Sequence, residues 1–258
     1  MKRLLSFSVF CSAIAIAPLA HSTMVVIPSD FATEEGSSIS GDGTALGAFT
    51  NTVHTVYNES VLLAAGLSAG DVLNGLSFRV NAENAAPNFS VANYTIRLST
   101  SNNSAGNLAD SFAANRGAGF TTVRSGALEF NAADYDASSD PNGTPVIPNA
   151  FGPVITFDNT FTYTGGDLLL EYTHTAPEAL NRSLATSRAD AVIEFNDDDD
   201  NPLVETLFGM GFDASERFTN FAAAPGFAPV VQFSVVPEPS TGILGGMGLL
   251  GLLLRRRR

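Results

Sequence analysis

The feature that most limits what this chain can fold into is a side-chain period of two, set in short runs that Gly, Asn, Asp and Pro repeatedly interrupt. In Asn93-Tyr94-Thr95-Ile96-Arg97-Leu98-Ser99, the apolar Tyr94, Ile96 and Leu98 fall on one face and Thr95 and Arg97 on the other. A half-buried strand demands that alternation. Leu76-Ser77-Phe78-Arg79-Val80 repeats it, and over 167–174 Leu168, Leu170, Tyr172 and His174 share a face. Further strand candidates are 120–130, 154–157, 192–195 and 230–235, and Thr52-Val53-His54-Thr55-Val56 is a β-branched, strand-like run. Gly165-Gly166-Asp167 predicts a tight turn with positive φ feeding a strand. Tandem repeats, heptads and long amphipathic helices are missing; short helices are expected only at 107–115 and 60–65. The expectation is all-β: a single β-sandwich or jelly-roll-like domain.

The two ends obey other rules. Lys2 and Arg3 precede an apolar stretch, 4–20, that closes on Ala20-His21-Ser22, a small-x-small pattern suited to signal peptidase, so residues 1–22 read as a signal peptide cut after Ser22. Pro18 and the shortness of the stretch argue against an uncleaved anchor. At the other end, Val236-Pro237-Glu238-Pro239-Ser240-Thr241 leads into the apolar run 242–254 and then Arg255-Arg256-Arg257-Arg258. Thirteen residues of helix reach about 20 Å, against about 30 Å of hydrocarbon. As a transmembrane helix it barely spans. The four arginines would stay on the cytoplasmic side, leaving the Pro-Glu-Pro turn and everything before it outside.

Pro237-Glu238-Pro239, a short Gly/Leu-rich segment and a terminal arginine cluster, in that order, resemble the PEP-CTERM sorting signal of Gram-negative exoproteins. The likeness covers 236–258, and an ordinary weak C-terminal membrane anchor is the plain alternative. The resemblance implies an exosortase-type membrane protease that cuts near Pro-Glu-Pro, transient inner-membrane anchoring, and a cell-surface or extracellular body associated with exopolysaccharide or biofilm. The segments 70–79 and 161–171 also resemble phrases in the β-sandwich bodies of other PEP-CTERM proteins.

Removing both ends takes away six of thirteen basic residues but only one of twenty-six acids, Glu238, so the formal charge moves from −13 to −18. Such a surface repels phosphate backbones, and no nucleic-acid partner is expected. The one cysteine, Cys11, and the one lysine, Lys2, lie in the signal peptide. The mature body therefore has no disulfide, thiol nucleophile, thiolate metal site, Schiff-base lysine or Walker lysine, and must stand on an apolar core. Gly66-Leu67-Ser68-Ala69-Gly70 satisfies the Gly-x-Ser-x-Gly elbow. That motif needs a strand before the serine and a helix after it, whereas the residues after Ser68 read as turn and strand. The two body histidines, His54 and His174, both sit in strand-like runs. His54 is expected to be structural or on the surface, His174 a wall or core residue. A pair of carboxylates could serve a glycosidase, but the chain has no tryptophan on which to stack a sugar ring. Asp134-x-Asp136-x-Ser138-x-Asp140 and the aspartates 197–200 with Asn201 offer hard oxygen ligands, yet Ser139 stands where an EF-hand loop requires glycine. Weak nonspecific calcium binding is the most these loops predict; no cofactor and no dedicated metal ligand is expected.

The reading is a signal peptide at 1–22, an extracellular β-sandwich at 23–235 and a sorting signal at 236–258, whose key residues are Pro237, Glu238, Pro239, Arg255, Arg256, Arg257 and Arg258. The body is expected to act without catalysis. A secreted carboxylate-dependent, glycosidase-like hydrolase is the first alternative, and a calcium-assisted carbohydrate-binding or adhesion module the second.

Overall fold

The computed structural model describes residues 22–36, 38–39, 45–47, 49–81, 88–135, 148–176, 189–197, 200–218 and 224–236. The expected signal peptide up to His21, and Pro237, Glu238, Pro239 and Arg255 to Arg258, lie outside them. Ser22–Glu238 make one compact unit.

In chain order the strands are β1 (Thr23–Ile27), β2 (Ser38–Ile39), β3 (Asn51–Tyr57), β4 (Val72–Phe78), β5 (Phe89–Val91), β6 (Tyr94–Thr100), β7 (Thr121–Arg124), β8 (Leu128–Phe130), β9 (Ile155–Thr162), β10 (Leu168–His174), β11 (Asp190–Val192), β12 (Val204–Met210), β13 (Ala224–Pro225), β14 (Ala228–Pro229) and β15 (Val231–Val236). Two short α-helices, α1 (Glu59–Ala64) and α2 (Phe112–Asn115), and single 3-10 turns at Ser29–Phe31 and Ala132–Asp134 complete the regular elements among the described residues. The protein is all-β, with every strand pairing antiparallel. A six-stranded sheet of order β13-β12-β3-β10-β6-β7 accompanies a four-stranded sheet of order β1-β15-β4-β9.

The two sheets bury one apolar layer between them. From the larger sheet come Val53 and Tyr57, Leu168, Leu170 and Tyr172, and Ile96 and Leu98. From the smaller come Leu73, Leu76 and Phe78, together with Val231, Phe233 and Val235. The Phe78 and Tyr172 rings meet edge to face at 5.8 Å across this layer. On one flank β7 packs against β9. The Tyr57 hydroxyl donates to the Pro229 carbonyl at 2.9 Å and that of Tyr94 to the Ala45 carbonyl at 3.0 Å, whereas the buried Tyr172 hydroxyl has no hydrogen-bond partner among the described residues.

Several boundaries differ from the sequence reading, each for a local reason. The expected run 120–130 is broken into β7 and β8 by Gly126 at φ +111°. The helix at 107–115 shrinks to four residues because the Asn115 side chain replaces helical pairing: its Oδ1 accepts from the Ala109 N–H and its Nδ2 donates to the Ala109 carbonyl, both at 2.8 Å. β11 begins at Asp190 and stops before Glu194, which turns the chain at φ +55°. Among the described residues no helix is long and apolar enough to cross a membrane; the 242–254 run lies outside them.

Candidate functional site

Alternation sends a second set of side chains to the face of the six-stranded sheet turned away from the core. His54 of β3, Glu171 of β10, Arg97 of β6 and Leu207 of β12 stand there in register: His54 pairs with Glu171 and Leu207, and Glu171 with Arg97. In an open sandwich this face would meet water. Here two straps cover it, one over 101–118 and one over 211–218, joined where the Phe112 N–H donates to the Ser215 carbonyl at 3.0 Å and that of Arg217 to Asp110 at 2.8 Å. Val56, Leu169, Leu207 and Phe112 are buried between sheet and straps, apart from the main core.

Glu171 organises the polar part of this layer. Its carboxylate accepts a fork from Arg116, with Nε to Oε2 at 3.0 Å and Nη2 to Oε1 at 2.9 Å, and a further bond from Arg97 Nη1 at 3.1 Å. His54 Nδ1 lies 3.2 Å from Oε2 and acts as the donor to the ionised group. Arg97 also reaches Asp213 at 2.7 Å, and Arg116 lies over the Phe120 ring at 4.4 Å. Glu171 and His54 are fully buried, so two of the body's seven arginines converge on one submerged acid. Burial pushes the Glu171 carboxyl up, but the His54 bond and the Arg116 guanidinium pull it further down, leaving it below the usual range. Burial also holds His54 below its ordinary value, which outweighs the pull of Glu171. With His54 neutral, Glu171 and Asp213 balance the two arginines.

Threonines fix the second strap. Thr52 and Thr173 hydroxyls meet at 2.9 Å, and they accept the Ala214 and Asp213 N–H groups at 3.0 and 3.1 Å. Gly209 admits this approach: a Cβ there would stand 2.7 Å from that of Ala214 and 3.0 Å from the Phe112 ring.

A histidine oriented by a carboxylate forms half of a nucleophilic triad, so what its other nitrogen meets decides the chemistry. His54 Nε2 is buried with no hydrogen-bond partner, and the ring stacks on Phe112 at 5.1 Å. Ser68 does not serve it as a hydroxyl partner. The order around Ser68 is helix α1, turn, then β4, the reverse of an elbow, and its N–H donates to Asp71 at 2.8 Å. His174 faces the other way, in the core, stacked on Tyr94 at 5.5 Å and edge-on to Phe89 at 5.7 Å. His54 is thus structural but not on the surface, and His174 is a core residue.

The acidic loops are only partly described. Asp134 accepts the Asn131 N–H at 2.7 Å, while Asp136, Ser138, Ser139 and Asp140 lie outside the described residues. Asp197 accepts from the Asn201 backbone at 3.0 Å and side chain at 3.2 Å; Asp198 and Asp199 lie outside. Among the described residues no group of three or more His, Asp or Glu is placed to hold a metal ion.

The site is therefore a buried charge lock on an all-β body, and the chain's address is carried elsewhere. The model of the PEP-CTERM protein-sorting motif matches residues 235–258, so the chain carries the sorting motif of an exported protein. Its first two residues, Val235 and Val236, are the last of β15. No curated protein matches the chain.

Proposed function

We propose that the protein is a non-catalytic component of the cell surface or of an exopolysaccharide matrix, as in a biofilm. Its C-terminal segment anchors it transiently in the inner membrane until an exosortase-type protease cuts near Pro237-Glu238-Pro239. The observation that carries this reading is the sorting motif beginning where the last strand of the sandwich ends. Two further features support it. The described residues that look most reactive, His54 and Glu171, are submerged, and His54 Nδ1 and the Glu171 carboxylate are spent on the fold. The −18 body repels nucleic acid and stays soluble in a hydrated matrix.

The test is to measure the intact mass of the exported protein in cells with and without a working exosortase, then to ask whether the purified body co-sediments with the producer's exopolysaccharide. Loss of Arg255 to Arg258 only when exosortase works, together with retention by the polysaccharide, is the expected result. A product that keeps the arginines in competent cells would sink the sorting claim. Release of reducing sugar from the polysaccharide would replace the matrix role with the hydrolase.

A further inference from the structure

β1 is an edge strand of the smaller sheet: β15 pairs with one side of it, and among the described residues no strand pairs with the other. Its sequence, Thr23-Met24-Val25-Val26-Ile27, holds no charge, no glycine and no proline, and its pairing with β15 runs through five residues without a bulge. Natural edges are usually guarded against addition of a further strand by a charge, a proline, a bulge or a covering segment. The other long edges here carry such guards. β9 contains Asp158, has a shifted register with β4, and lies against β7. β7 has its own shift and ends in Arg124, whose guanidinium is bonded to the Tyr94, Gly126 and Ala127 carbonyls. β13 is two residues long and contains Pro225.

We infer that the free edge of β1 is an association surface for a second copy of this chain, joined strand to strand in antiparallel fashion with Val25 opposite Val25 of the partner. The occupant follows from chemistry. The edge offers a row of backbone donors and acceptors, which only another extended backbone can satisfy. A five-residue strand without a charged side chain is self-complementary about a two-fold axis: Thr23 then faces Ile27, and Met24 faces Val26. Met24, 48% exposed, and Val26 lie on the outer face and form one continuous apolar stripe with their partner equivalents. The two four-stranded sheets thereby become one of eight. Five residues on each side bury far less than the roughly 1,200 Å² of a stable complex, and each body carries −18, so the dimer is weak and strengthens with salt.

Sedimentation velocity of the exported, processed protein over a range of concentrations, in low and in high sodium chloride, reads the association. A dimer fraction that rises with both variables is expected. Met24→Lys, on the exposed side of the strand, should weaken it at least about tenfold by setting like charges beside the axis. The body has no cysteine, so Val25→Cys supplies an independent reading: mild oxidation should give a covalent dimer, and Asn159→Cys on β9 should not. A monomer under all conditions would overturn the inference. So would a dimer that is insensitive to Met24→Lys and is not captured through Val25→Cys.

Discussion

Thr23 and Val235 are register partners on β1 and β15, so the first and last strands of the body run side by side in opposite directions. β15 lies between β1 and β4, and Val231, Phe233 and Val235 face the core. The strand synthesised last therefore completes the sheet that the strand synthesised first begins, and without it β1 has no partner among the described residues.

From this position Phe233→Ala should be among the costlier single substitutions. Phe233 is fully buried opposite Leu76 and Val25, and truncating a packed phenylalanine costs about 3–5 kcal/mol. Urea unfolding of the exported body should show a lower midpoint at an unchanged slope. Ser234→Ala, on the outer face of the same strand, should cost well under half as much.

Glu171→Gln should cost about 3 kcal/mol, because it leaves Arg116 facing no full charge and Arg97 facing only the half-exposed Asp213, while water reaching the partly exposed guanidinium groups offsets part of the loss. Arg116→Ala should cost nearly as much. The double variant, with both partners gone, should lose less than the sum of the two, and a chemical-denaturation cycle measures the difference. Strict additivity would mean that the straps are held by Phe112 and the threonines alone.

What could be read in advance and what could not divides along physical lines. β6 is legible because Tyr94, Ile96 and Leu98 alternate cleanly with Thr95 and Arg97, and β10 because Leu168, Leu170 and Tyr172 hold one face even though Leu169 adds an apolar residue to the other. β12 is not legible in the sequence: only Asn201, Pro202 and Leu203 separate it from the aspartate run, and Gly209 interrupts its pattern to admit the strap. β1 was hidden beside the expected signal-peptide cut. The charge lock escaped because His54 and Glu171 are 117 positions apart, and Arg116 lies 55 from the acid. One clue was present in Leu168-Leu169-Leu170-Glu171-Tyr172: an acid inside a strand with apolar residues on both faces needs a buried cation, and this chain has few to offer.

Acid should loosen the body before most carboxylates titrate. More than about one unit above its ordinary value of 6.5, His54 is neutral in both states and contributes no pH dependence. Below it the unfolded imidazole takes up a proton while the buried one, held lower by desolvation, does not. The unfolded state then binds more protons, and stability falls with pH by up to about 1.4 kcal/mol per unit until the folded value is reached. Glu171, lowered in the fold, adds a second loss as pH drops through and below its ordinary value near 4.5. Thermal melts from pH 7.5 to 5 should decline, and His54→Gln, which keeps a donor for Glu171, should flatten that decline whatever it does to the absolute melting temperature. An unchanged slope would place the titration on another group.

Salt and calcium separate two readings of the acidic surface. A formal −18 on one domain opposes its own compaction, and any cation relieves that repulsion. A built calcium site with a dissociation constant near 10⁻⁴ M would add RT ln(1 + [L]/Kd), or about 1.4 kcal/mol at 1 mM calcium, beyond screening. The described part of the 197–201 loop argues for relief alone, because the Asp197 carboxylate is already engaged by the Asn201 backbone and side chain. Melting temperatures should therefore rise equally in calcium and in sodium chloride at matched ionic strength. Asp197→Asn with Asp199→Asn should leave the calcium increment where it was. An excess of a few degrees in calcium that disappears in this double variant would instead make the loop a specific site.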